Sequence, residues 1–273
     1  MPVVELNGIR LSYQVTGSGE LVVLVMGTGS PGRVWRLHQV PALVAAGYRV
    51  VTVDNRGIPP SDECASGMTI DDLVGDTVAL IEHLGGGPAR LVGTSLGSRI
   101  VQELALARPE LVSRAAMMAA HGRCDPVQSA LSAGERSLYD AGIELPPTYY
   151  AAVTALLNLS PRTRKDRHTV QDWLDLFELS GSGLKPGVRA QLAVETFPDR
   201  LVAYRAITVS SLVIGFADDL IIPPYLAREV AAAIPGARYE EIEDCGHFGY
   251  LERPAEVNKL LVEFFASPPN LPV

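Results

Sequence analysis

The sequence predicts an α/β fold: a mostly parallel sheet flanked by helices, with a helical cap inserted after the sixth strand. Three observations predict it. Apolar runs of strand length alternate with helical patterns as far as Ala120. Those runs lack polar alternation, as expected of strands buried on both faces. From His121 to Ile207 such runs cease, and they resume at Val209.

In order, VVELNGIRLSYQVTG reads as a hairpin turning at Asn7-Gly8, a dipeptide suited to a two-residue turn. Leu21–Gly27 is a buried strand. WRLHQVPALVAAG reads as one helix stopped by Gly47, and Tyr48–Asp54 as the next strand. Thr69–Leu84 carries an apolar stripe of helical period through Ile70, Leu73, Val74, Thr77, Leu80, Ile81 and Leu84. Ala89–Ser95 is a strand, Leu96–Pro109 a helix and Val112–Ala120 a strand. The stretch that follows reads as helices around 130–141, 149–157, 169–179 and 188–196, broken by prolines and glycines. Then come a strand at Val209–Asp219, a helix at 225–234, a strand at 237–243 and a terminal helix near 254–265. The expected organisation is a core of residues 1–120 and 208–273 and a helical cap of residues 121–207.

Composition narrows the function. At 273 residues the chain can bury one large core, and 47% hydrophobic against 20% charged residues argues against disorder. A net charge of -8 disfavours nucleic acid and anionic membrane surfaces as partners. Cys64, Cys124 and Cys245 lie far apart with no metal-ligand spacing, so neither disulfides nor a zinc site is expected. The opening residues lack a basic segment leading into an apolar run, and no apolar run is long enough to span a bilayer. A cytoplasmic protein with a small-molecule substrate is expected. Oligomeric state stays open, a homodimer included. No phosphate-cradling glycine motif occurs, so no nucleotide cofactor is expected.

The strongest local signal is Gly93-Thr94-Ser95-Leu96-Gly97, a G-x-S-x-G placed where a buried strand passes into a helix. A serine on such a sharp turn projects its hydroxyl above the sheet, and small residues on either side let backbone approach. The helix that follows aims its N-terminus at the same point, favouring negative charge. His247, in Asp244-Cys245-Gly246-His247, follows the last strand, where the order serine, acid, histidine requires the base. Of the other histidines, His83 falls on the polar side of its helix, and His121, at a strand end, is the rival.

With these motifs in place, the chain resembles the α/β-hydrolase superfamily over nearly its whole length. It is most similar to the esterases, non-haem haloperoxidases and carbon–carbon-bond hydrolases. VLVMGTG stands where that family has a strand followed by His-Gly-x, and DNRGIPPS stands for D-x-R-G-x-G-x-S. GTSLGS is the nucleophile elbow, LVIGFADDLIIP the acid loop and DCGHFGYLERP the histidine loop. The resemblance implies Ser95 as nucleophile, His247 as base, backbone N–H groups of Thr28 and Leu96 as oxyanion hole, and no metal or other cofactor. It implies Asp219 as acid by counting back four residues from Pro223. Counting three forward from Gly215 points instead to Asp218. Met26 replaces the usual histidine, and Pro59 the second glycine of its loop. Arg56 and Asp54 read as structural. Tyr149, Tyr150, Trp173, Phe177, Met117 and Met118 read as core more readily than as pocket wall.

The expected reaction is cleavage of an ester or related acyl bond through an acyl-enzyme. The same residues also serve carbon–carbon cleavage, peracid formation and elimination or cyclisation in natural-product tailoring. A non-catalytic ligand-binding protein of this fold is the remaining alternative.

Overall fold

A computed structural model describes residues 2–64, 67–181, 185–194 and 196–267. The first two strands, β1 (Val3–Leu6) and β2 (Ile9–Thr16), form the expected hairpin, with Asn7 and Gly8 both at positive φ, 47° and 76°. After β3 (Leu21–Val25), a 3-10 turn at Gly32–Leu37 precedes α1 (Gln39–Ala45). Sequence reading had one helix here. Pro41 breaks it: its ring excludes the carbonyl four residues back, so the helix restarts at Gln39 and puts the proline in its first turn.

The chain continues through β4 (Arg49–Asp54), α2 (Ile70–His83), β5 (Ala89–Thr94), α3 (Leu96–Ala107) and β6 (Val112–Met118). A capping box between Thr69 and Asp72 starts α2. Among the described residues, six helices then precede the next strand: α4 (Pro126–Asp140), α5 (Pro147–Asn158), α6 (Pro161–Lys165), α7 (Arg167–Ser180), α8 (Pro186–Val194) and α9 (Leu201–Tyr204). Helix α4 begins four residues before its apolar pattern does, because Asp125 caps the N–H groups of Val127 and Gln128. The short α6 and α9 had no sequence signal strong enough to read. Finally come β7 (Ser211–Phe216), α10 (Pro224–Ala233), β8 (Arg238–Ile242), α11 (Gly249–Glu252) and α12 (Pro254–Ala266).

The eight strands run in the order β1-β2-β4-β3-β5-β6-β7-β8. The β1–β2 and β2–β4 pairs are antiparallel and the rest parallel. Strand side chains alternate between two apolar layers. Val23, Val25, Val51, Val53 and Leu91 pack under α2, α3 and α10. Val22, Leu24, Met26, Val50 and Val92 pack under α1 and α12 on the opposite face. Covered on both sides, the sheet presents function at its rim, where loops leave the carboxyl ends of its strands.

Among the described residues, no helix is long and apolar enough to cross a membrane.

Candidate active site

Ser95 lies between β5 and α3 at φ 55° and ψ -122°, a backbone conformation that side chains rarely adopt. Glycine makes the turn fit. A Cβ on Gly93 would strike the carbonyl of Gly97, and one on Gly97 would strike the carbonyls of Val25 and Met26. The loop after β3 therefore lies directly against the elbow. A Cβ on Gly27 would stand 3.0 Å from the Ser95 Cβ. Leu96, the first residue of α3, is fully buried beside the serine, and Thr28 follows Gly27 in the apposed loop. These are the two residues whose N–H groups the family resemblance implies as an oxyanion hole.

His247 and Asp219 meet at the rim on the loops after β8 and β7. His247 Nδ1 stands 2.8 Å from Asp219 Oδ2. The other oxygen, Oδ1, accepts from the N–H groups of Ile221 and Ile222 at 2.8 and 2.9 Å. The carboxylate is thus fixed in place, and it is buried with no solvent-exposed side-chain surface. An acceptor at Nδ1 makes that nitrogen the N–H donor and leaves Nε2 with its lone pair. Asp218 is turned away. Its N–H donates to the Cys245 carbonyl, and its carboxyl is pushed up by burial and by the carboxylates of Asp244 and Glu252. Among the described residues no hydrogen bond joins Ser95 Oγ to His247. Such bonds commonly close only when substrate is bound.

The rival histidine is engaged elsewhere. His121 is fully buried, its Nε2 lies 3.3 Å from Gln128 Nε2, and its ring packs on Phe197 at 5.2 Å. Trp173 and Phe177 belong to a small core of the insertion with Ala151, Ala155 and Leu159, closed by Phe248 next to the histidine. Met117 and Met118 are buried in the sheet, and Tyr149 is 58% exposed. Arg56 is structural, bidentate to Asp76 at 2.7 and 2.6 Å.

Three residues that hold the site were not read from sequence. Asn55 Nδ2 donates to the Met26 carbonyl at 3.0 Å. It stands inside the D-x-R-G motif, and this bond supports the loop where the usual histidine is missing. Met26 itself is buried among apolar neighbours. Glu252, inside the quoted histidine-loop motif, accepts from the Ser160 N–H and hydroxyl at 3.0 and 2.9 Å and from the Gly246 N–H at 2.6 Å. It ties the histidine loop to the insertion. Gln191 of α8 reaches the loop after β3, and no motif marked it.

Comparison with known proteins agrees with this architecture. Residues 20–254 match the α/β-hydrolase-fold family. A Mycobacterium tuberculosis protein provisionally named as the non-haem bromoperoxidase BpoC is 49% identical over 259 residues, covering 95% of this chain and 98% of its own. The crystal structure of that protein superimposes with a TM-score of 0.91 over 94% of this chain and 95% of its own. Pyrrolizixenacetamide deacetylase of Xenorhabdus hominickii is 29% identical, covering 97% of both chains. The 2-hydroxy-6-oxononadienedioate/2-hydroxy-6-oxononatrienedioate hydrolase of Burkholderia vietnamiensis is 30% identical, covering 94% of this chain and 91% of its own. The chain belongs to the α/β-hydrolase family and is an enzyme of that superfamily.

Proposed function

We propose that the protein is a serine hydrolase that cleaves an ester or related acyl bond of a small, largely apolar molecule. The observation that carries this reading is the 2.8 Å contact between His247 Nδ1 and Asp219 Oδ2. It leaves Nε2 as a base on the same rim as a serine held at φ 55°.

In this mechanism Ser95 Oγ attacks the substrate carbonyl as its proton passes to His247 Nε2. Negative charge moves onto the carbonyl oxygen, where the N–H groups of Thr28 and Leu96 and the N-terminus of α3 receive it. Asp219 holds the imidazolium through Nδ1. Collapse of the tetrahedral species breaks the carbon–oxygen bond, and Nε2 returns its proton to the leaving alcohol. Water, deprotonated by the same nitrogen, then hydrolyses the acyl-serine. The helices between β6 and β7 serve as a cap over this rim, since both Gln191 and Ser160 of that stretch bond to its loops.

The relative named as a bromoperoxidase favours a second reading of the same intermediate. Hydrogen peroxide in place of water would convert the acyl-serine to a peracid. Turnover of p-nitrophenyl butyrate that disappears in Ser95→Ala supports acyl transfer. Peracid formation from acetate and peroxide that exceeds ester hydrolysis would favour the second reading. Activity on esters unchanged by Ser95→Ala would refute both.

A further inference from the structure

We infer that Gln191 is a positioning residue for the oxyanion hole, locking from the insertion the turn that carries Thr28. The inference rests on the acyl-transfer reading above. The N–H of Ser30 donates to the Gly27 carbonyl at 3.3 Å, closing a turn with Thr28 and Gly29 at its centre. Gly29 has φ 73°, the signature of a type II turn at its third residue. Type I and type II turns share their ends and differ in the orientation of the central peptide, here Thr28–Gly29. The N–H of that peptide donates to Gln191 Oε1 at 2.8 Å.

The other end of the amide is also fixed. Gln191 Nε2 donates to the Arg56 carbonyl at 2.8 Å, in the loop after β4. A donor on one side and an acceptor on the other allow only one amide orientation, and Gln191 is 0% exposed, so water does not compete. The helix is seated as closely as backbone permits. Gly187 and Gly57 touch main chain to main chain, and a Cβ on Gly29 would stand 3.3 Å from Val188 Cγ1. One buried amide thus couples α8 to two catalytic-rim loops. Without it the turn loses its anchor on α8 and on the loop after β4 and is free to shift as a unit against Ser95, carrying the Thr28 N–H away from the oxyanion. A donor is useful there only within about 2.7–3.1 Å of the developing charge.

The test separates positioning from packing. Gln191→Leu keeps the bulk and removes both hydrogen bonds. Gln191→Asn keeps an amide too short to span both loops. Arg189→Ala is the control on the same helix, where it removes an exposed ion pair with Asp140 at 2.8 Å. Three readouts apply to each: kcat and KM for p-nitrophenyl butyrate, inhibition by an alkyl trifluoromethyl ketone, and Tm. The ketone adds to serine as a tetrahedral oxyanion, so its Ki reports the hole itself.

Both Gln191 variants should lose kcat by about 10–100-fold, with KM within about threefold and Ki rising by the same factor as kcat falls. Arg189→Ala should match wild type. Where Gln191→Leu does not fold, Gln191→Asn carries the test. A folded variant of lower Tm whose kcat and Ki stay within twofold of wild type overturns the inference, and so does a loss confined to KM. Wild-type protein that neither turns over the ester nor binds the ketone fails the acyl-transfer reading itself, and the inference with it.

Discussion

Asp218 and Asp219 are adjacent carboxylates with opposite surroundings. Asp219 is buried, accepts two backbone N–H groups and faces His247, whereas Asp218 faces two other carboxylates. Asp219→Asn should therefore lower kcat by about 10⁴, because the imidazole loses the acceptor that sets its tautomer. Asp218→Asn should cost less than about tenfold. Steady-state kinetics on p-nitrophenyl butyrate decides between them, and the reverse ranking would assign the acid to Asp218. The sequence offered both residues, since counting from Pro223 and from Gly215 gave different answers. What separates them is the turn after β7, in which the Asp219 N–H bonds back to the Phe216 carbonyl. That is a backbone feature with no residue type to announce it. The elbow was fully legible, because glycines at 93 and 97 are dictated by close approach of backbone. Gly97→Ala should accordingly destabilise the fold by roughly 1–3 kcal/mol, read by urea denaturation, as main chain rather than a flexible side chain must yield.

At the scale of elements, the strands and long helices could be read because each buries a continuous face, and period reports burial. The insertion was legible only as helical. Its decisive contacts are polar groups meeting backbone far away in sequence: Gln191 meets Gly29 across 162 positions, and Ser160 meets Glu252 across 92. No local pattern encodes such partners. Helix α4 carries a further consequence. Gln128, Ser132 and Glu135 follow one another at helical spacing, with the first two buried. Burial alone pushes the Glu135 carboxyl upward from its ordinary 4.5. The folded protein then holds that proton more tightly than the unfolded chain. The associated stability is complete below pH 4.5 and is lost as pH rises through the folded value. Glu135→Gln should match wild type in Tm at pH 4 and exceed it at pH 7.5. Equal Tm at both pH values would show that the carboxyl is not held in a costly environment.

Across the whole molecule, the candidate residues come from loops after β3, β5, β7 and β8, and they converge because parallel strands send all of these loops to one edge. The motifs that sequence order spread from Gly27 to His247 thus become neighbours through topology. With His247 as the base of the proposed mechanism, His247→Ala should lower kcat/KM on an activated ester nearly as far as Ser95→Ala does, since the two act as a unit. A His247→Ala variant that kept kcat/KM within about tenfold of wild type would argue for another base. The most direct measurement of the central claim is intact-mass analysis after treatment with a fluorophosphonate, followed by peptide mapping. An activated serine beside an oxyanion hole reacts with this reagent far faster than other hydroxyls do. One adduct per chain, located on Ser95, absent in Ser95→Ala and greatly slowed in His247→Ala, is the result expected. Stoichiometric labelling at another residue, or no labelling of a preparation that turns over esters, would contradict it.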